Sequence, residues 1–213
     1  MTSVQTRNNV SSRAQTVAFC GLTVALMVVS AWFTIPIGIV PVTLQVFVMV
    51  FALLFLSPGR AIASIGAYLL LGACGLPVFS GMRGGFGVLL GPTGGFLFGY
   101  LLGGLAALAV LAAFDAIVRS RGLLVASQAK ASGNSLAREA KMPAGLRLVR
   151  NGAAAATFLL VIYVCGWFQL MLVAGMTPGA AFLAGVAPFV VIDVIKALAA
   201  ITLASAVKQG IRR

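Results

Sequence analysis

Long apolar runs separated by short polar breaks dominate the chain. Residues 14–33 give twenty positions without a charge, enough to cross the ~30 Å hydrocarbon core of a bilayer as one helix. A basic start precedes the run, as in a signal peptide, but the run exceeds the usual length of such a region and is read as an uncleaved first span. Residues 34–42, TIPIGIVPV, carry Pro36, Gly38 and Pro41 and predict a stiff turn or a short re-entrant piece. Further apolar runs at 43–57, 61–76, 92–118, 151–175 and 188–207 predict five more spans. The second and third are short, at fifteen and sixteen residues, and SPGR makes the turn between them. Residues 176–187 form an uncharged connection with room for a short helical piece. Together these runs predict a single all-α integral membrane domain of six transmembrane helices.

One stretch breaks the pattern. Eight of the twenty-four residues at 76–99, LPVFSGMRGGFGVLLGPTGGFLFG, are glycine, and Pro77 and Pro92 interrupt it. Such a segment does not run as one helix, and irregular backbone beside membrane spans is tolerated where protein or a water-filled cavity covers it. Residues 77–91 are read as a loop, with Pro92 in the first turn of the fourth span. The bare face of Gly94, Gly95, Gly99, Gly103 and Gly104 then provides either close helix contact or room for a ligand.

Charge sharpens the topology. Hydrophobic residues make up 61% of the chain and charged residues 8%, and fifteen Lys and Arg oppose three acids, Asp115, Glu139 and Asp193. The basic residues fall between apolar runs without interleaved aromatics, as topology determinants do, which argues against nucleic acid. With both termini cytoplasmic, Arg7, Arg13, Arg60, the seven basic residues of a polar loop at 119–150, Lys208, Arg212 and Arg213 share one side, thirteen of the fifteen. That loop is read as solvated and cytoplasmic, able also to lie on anionic lipid. The exceptions are Arg83, in the glycine-rich stretch, and Lys196, within the sixth span. An intramembrane charge is expensive and lines a site or pathway by default.

The chemistry of catalysis is poorly supplied. Histidine is absent, and Cys20, Cys74 and Cys165 lie singly in apolar runs, so neither a metal site nor an enzyme is expected. Asp193 and Lys196 stand three apart on one helical face and partly neutralise each other, about 8 Å and about 12 Å below the outer end of the sixth span. They read either as a structural ion pair or as part of a wall for a small amphipathic ligand with hydrogen-bond donors at one end and an anion at the other. Gln45, in the first turn of the second span, faces inward to a ligand or a neighbouring helix. Ala14 with Ala18 and Gly21 with Ala25 form small-x-x-x-small pairs, read from spacing alone as packing within the bundle.

Three regions then carry a family resemblance. VPVTLQ at 40–45, GLPVFSGMRGGFGVLLGPTGGFLFG at 75–99 and the P-F-x-x-x-D-x-x-K pattern at 188–196 resemble, in order, the signature regions of BioY, the biotin-specific substrate-binding component of energy-coupling factor (ECF) transporters. The resemblance implies a six-helix fold in the bacterial cytoplasmic membrane whose outward loops and sixth helix enclose one biotin as substrate, with no cofactor. It implies a first helix that packs, through Ala14, Ala18, Gly21 and Ala25, on a transmembrane coupling subunit driven by two ATPases. Some members work without that module, which leaves a homo-oligomer as the alternative assembly. In such a pocket Asp193 is expected to accept from the ureido N–H groups, Lys196 to hold Asp193 ionised and donate to the ligand, and Arg83 to meet or draw in the valerate carboxylate. Phe79, Phe86 and Tyr68 supply apolar walls, Gln45 and Thr93 complete the set, 77–91 closes over the ligand, and 94–104 leaves the space for it.

Other classes fit less well. Asp115 and Asp193 lie toward opposite ends of their spans and no G-x-G-D is present, against an intramembrane aspartyl protease. GPTGG lacks the lysine of a phosphate-binding loop, against a self-contained pump. A transporter for another vitamin and a structural membrane subunit with a buried ion pair are the remaining alternatives.

Overall fold

The computed structural model describes residues 2–120 and 142–210, with side chains from Ala14 onward in the first helix. The side chains of Arg7 and Arg13, most of the polar loop including Arg121, Lys130, Arg138, Glu139 and Lys141, and Arg212 and Arg213 lie outside the described residues. Among the described residues, eight helices and one small hairpin follow in order: α1 (Thr2–Trp32), β1 (Thr34–Ile35), β2 (Val42–Thr43), α2 (Gln45–Phe55), α3 (Pro58–Ala73), α4 (Phe86–Leu90), α5 (Gly94–Ser120), α6 (Ala144–Val173), α7 (Pro178–Gly185) and α8 (Ala187–Gly210).

Among the described residues, four segments are long and apolar enough to cross a membrane: Ala14–Trp32, Gly94–Ser120, Ala144–Val173 and Pro178–Gly210. At 11 and 16 residues, α2 and α3 fall short of the usual length for a span. The surface agrees with a lipid environment. Leu26, Leu70, Leu160, Phe168, Leu172, Val191, Ile195 and Leu198 are all exposed, an apolar cover that a water-soluble protein does not carry. The chain is an integral membrane protein.

The turn at 34–42 is an antiparallel hairpin, with Thr34 paired to Thr43 and Ile35 to Val42. Pro36 and Pro41 stand outside its ladder, where a missing N–H costs nothing. The glycine-rich segment holds the short helix α4, so 77–91 is only partly a loop. The connection at 176–187 contains α7, started by Pro178 in its first turn and by Thr177, whose hydroxyl accepts from the Ala180 N–H.

Packing assigns the bare face of α5. The most extensive helix contact is between α5 and α6, and α6 occupies the space that Gly95, Gly99 and Gly103 leave. A Cβ on Gly95 would collide with the Cys165 carbonyl oxygen, one on Gly99 would stand 2.8 Å from Ile162 Cα, and one on Gly103 would stand 3.0 Å from the Phe158 carbonyl oxygen. The expectation that 94–104 leaves room for a ligand is therefore corrected at Gly95, Gly99 and Gly103, where the α6 backbone fills the space.

The opposite, basic end is fixed by charge. There α6 begins at Ala144, just after Pro143, seven residues ahead of the span expected at 151–175. Arg147 and Arg150 are thus helical residues, since nothing between Pro143 and Asn151 interrupts the helix. Arg150 Nε donates to Asp115 Oδ1 at 2.6 Å and Nη2 to Oδ2 at 2.9 Å, a two-pronged pair joining α6 to α5, while Nη1 donates to Asn151 Oδ1 at 3.0 Å. Arg150 is buried and Asp115 partly open, so the pair is worth more than a surface bridge. Arg150→Ala is expected to destabilise the protein by about 1–2 kcal/mol, seen as a lower thermal midpoint in detergent, without change in ligand affinity.

Candidate functional site

At the end opposite Arg150, a cavity of about 70 Å³ opens between β2, the 77–91 segment, α2, α5, α6 and α8. Its apolar lining includes Val42, Val46, Phe79, Phe96, Ile162 and Phe189. Its polar lining is Thr43, Gln45, Ser80, Arg83, Thr93, Tyr100, Tyr163, Asp193 and Lys196.

Asp193 and Lys196 face this cavity from the second and third turns of α8, with side chains 9% and 11% exposed. Lys196 Nζ donates to Asp193 Oδ1 at 2.8 Å and to the Thr43 carbonyl at 2.6 Å, so the cation is shared between its own helix and the hairpin. The Tyr163 hydroxyl donates to Asp193 Oδ2 at 2.8 Å. Both carboxylate oxygens are thus engaged, yet each keeps a lone pair, and Lys196 keeps one N–H beyond those two bonds. The arrangement is an acceptor-rich spot with a neighbouring donor, suited to a ligand's paired N–H groups. It differs from a purely structural pair in lining open space.

Gln45, 2% exposed, sits across the cavity. Its Nε2 donates to the Tyr68 hydroxyl at 2.6 Å, and its Oε1 accepts from Thr43 Oγ1 at 3.2 Å and from the Tyr100 hydroxyl at 3.4 Å. The 77–91 segment is pinned over the cavity at several points. Trp32 Nε1 donates to the Pro77 carbonyl at 3.0 Å, the Tyr68 hydroxyl donates to the Val78 carbonyl at 3.0 Å, and Thr34 Oγ1 lies 3.0 Å from Ser80 Oγ. Gln169 Nε2 reaches the Leu89 and Gly91 carbonyls, both at 2.8 Å. The Gly85 N–H donates to the Gly72 carbonyl at 2.7 Å with φ at 94°, a conformation open to glycine and strained for other residues. Arg83 is exposed at the rim, where its Nε donates to the Ser80 carbonyl at 3.1 Å.

Of the residues singled out from sequence, Asp193, Lys196, Arg83, Gln45, Phe79 and Thr93 line the cavity, and two do not. Phe86 points outward, 66% exposed, because α4 turns that face away from the bundle. Tyr68 is fully buried behind the lining, its ring packed edge-on against Phe79 with centroids 5.6 Å apart. Tyr100, Tyr163, Ser80, Thr43 and Gln169 were missed. The rule that picked Gln45, a lone amide in an apolar run, also finds Gln169 in YVCGWFQLM; the tyrosines gave no comparable signal. Ala14, Ala18, Gly21 and Ala25 are all exposed on α1, and a Cβ on Gly21 would meet nothing within 4 Å.

Membrane-crossing helices that hold a cavity with paired buried charges at one end, beneath a pinned segment, define an integral membrane protein with a candidate small-molecule site. A model of the BioY family matches residues 3–213, and the chain belongs to that family. Two relatives bear this out. "Biotin transporter BioY" of Thermotoga maritima is 51% identical over 83 residues, 39% of this chain and 49% of that protein. "Probable biotin transporter BioY" of Pyrococcus horikoshii is 36% identical over 192 residues, 90% of this chain and 95% of that one. A solved structure, the S-component for biotin from an ECF-type ABC transporter, superposes with a TM-score of 0.68 at 20% identity, over 98% of this chain and 95% of that chain. The fold is that of an ECF S-component.

Proposed function

We propose that the protein binds biotin and mediates its uptake across the bacterial cytoplasmic membrane as the substrate-specificity component of an ECF transporter, without enzymatic activity of its own. The observation that carries this is the Asp193–Lys196–Tyr163 cluster facing an apolar cavity with Arg83 at its rim. Biotin carries two ureido N–H donors, an apolar fused ring with a thioether, and a carboxylate on a flexible chain. Asp193 accepts from the ureido N–H groups through charge-assisted bonds, while Phe79, Phe96 and Phe189 cover the ring. Gln45 and Thr93 complete the polar contacts, and Arg83 meets the carboxylate at the mouth or draws it in.

The chain crosses the membrane six times, with α2 and α3 as short spans embedded among longer neighbours and both termini cytoplasmic. This places Arg60, Arg119, Arg147, Arg150 and Lys208 on the cytoplasmic side, with the polar residues 121–141, and the cavity on the outer side. Ala14, Ala18, Gly21 and Ala25 offer α1 to a transmembrane coupling subunit that works with two ATPases, or to a second copy where the protein acts alone. Both relatives are named as biotin transporters and the solved S-component is one for biotin, which supports biotin over another vitamin. A register pair in a structural subunit would not need an open cavity.

Arg83→Gln is expected to weaken biotin binding by about threefold at low salt and less at high salt, mainly through slower association, since an exposed cation steers an anion more than it holds it. Stopped-flow binding at two salt concentrations checks this. The function itself is tested by labelled biotin uptake in a biotin-transport-deficient host, with and without co-expressed coupling proteins. Uptake in either condition supports the reading, and the difference measures dependence on the module; no uptake by folded protein in both counts against it.

A further inference from the structure

Tyr68 touches no open space, yet it stands between the cavity and the segment above it. Its hydroxyl has one proton. The Val78 carbonyl can only accept, so that proton goes to Val78 at 3.0 Å. The phenolic oxygen must then accept from Gln45, which places the amide nitrogen toward Tyr68, at 2.6 Å. The reversed amide would set two acceptors face to face with no proton between them. Gln45 Oε1 is consequently turned toward Tyr100 and Thr43, whose hydroxyls donate to it. One backbone carbonyl of the 77–91 segment thus fixes the direction of four hydrogen bonds. The second N–H of Gln45 Nε2 has no protein acceptor among the described residues, and Gln45 lines the cavity.

We infer that Tyr68 is a positioning residue that couples closure of the 77–91 segment to the hydrogen-bonding polarity of the cavity, presenting Gln45 as a donor to an oxygen acceptor on the ligand only while Val78 is in place. When the segment lifts, the Tyr68 proton is released from Val78 and free to turn toward Gln45, and the amide is no longer held one way round. Closure and recognition are therefore one event, and a ligand lacking an oxygen acceptor at this position gains nothing from closure. The inference rests on the cavity being the biotin site.

Tyr68→Phe removes one hydroxyl and keeps the ring, its burial and its edge contact with Phe79. In ligand-free protein, hydrogen–deuterium exchange at 77–91, which includes the Phe79 and Gly85 amides, is expected to rise by about fivefold or more while α5 and α6 stay unaltered. Biotin dissociation should accelerate by about fivefold or more with association changed less than about twofold. Gln45→Leu leaves the Tyr68–Val78 bond intact, so it should leave exchange at 77–91 unchanged while weakening biotin. The effects of Tyr68→Phe and Gln45→Leu on affinity should combine to less than their product. Unchanged exchange in Tyr68→Phe, raised exchange in Gln45→Leu, or strictly multiplicative effects would overturn the inference. If the wild-type protein binds no biotin, the functional reading fails, and the ligand-free exchange still decides whether Tyr68 holds the segment.

Discussion

Replacing Asp193 with Asn lowers biotin affinity at least about tenfold, about 1.4 kcal/mol, in equilibrium binding on detergent-purified protein. The substitution keeps the size of the side chain, removes its charge and turns one acceptor oxygen into an N–H donor. It turns charge-assisted acceptance of ligand N–H groups into neutral bonds of roughly half the strength. It also leaves Lys196 with neutral acceptors alone, the amide oxygen at 193 and the Thr43 carbonyl, in place of its charged partner. Lys196→Met costs more, about a hundredfold in affinity with a loss of stability, because it strands the Asp193 carboxylate in a cavity wall with only the Tyr163 hydroxyl to hold it. The pair thus separates binding from stability: the Asn variant stays folded and binds weakly, and the Met variant loses both.

The second large effect falls on the scaffold. Gly95→Leu is expected to cost at least about 3 kcal/mol, because the new side chain meets the Cys165 carbonyl of α6 and helix backbone cannot move aside as a side chain can. The protein should appear aggregated or absent on fluorescence-detected size exclusion. Gly104→Ala is the control. Its Cβ would stand 3.2 Å from the terminal methyl carbons of Ile62 and Ile65, flexible groups able to yield, and the expected cost is within about 1 kcal/mol. Equal loss in both variants would contradict the assignment of the glycine face to the α5–α6 contact.

Much of the architecture was legible because membrane insertion writes itself on hydropathy. The runs at 14–33, 92–118, 151–175 and 188–207 correspond to the long helices α1, α5, α6 and α8, with ends that differ by up to twelve residues. The ends escaped for a physical reason: outside the bilayer a helix continues until something stops it, and composition changes sooner than backbone geometry. Arg150 is the clearest instance, a basic residue that looked solvated and is instead buried against Asp115. The site was legible wherever a polar side chain is out of place in an apolar run, as at Gln45, Asp193 and Lys196. It was illegible where the residue type is at home in a membrane. Tyr100 and Tyr163 look like ordinary apolar residues until their hydroxyls are seen to meet Gln45 and Asp193. The glycines misled in the opposite way. Absence of side chains suggests empty space, but only packing tells whether a ligand or a helix takes it, and at Gly95 and Gly99 it is α6.

The most direct test of the central reading is equilibrium binding of labelled biotin to the purified wild-type protein beside its Asp193→Asn variant. Saturable binding by the wild type, at one site per chain, and at least about tenfold weaker binding by the folded variant are expected. No binding by folded wild-type protein, or equal affinity in the two, would contradict the reading.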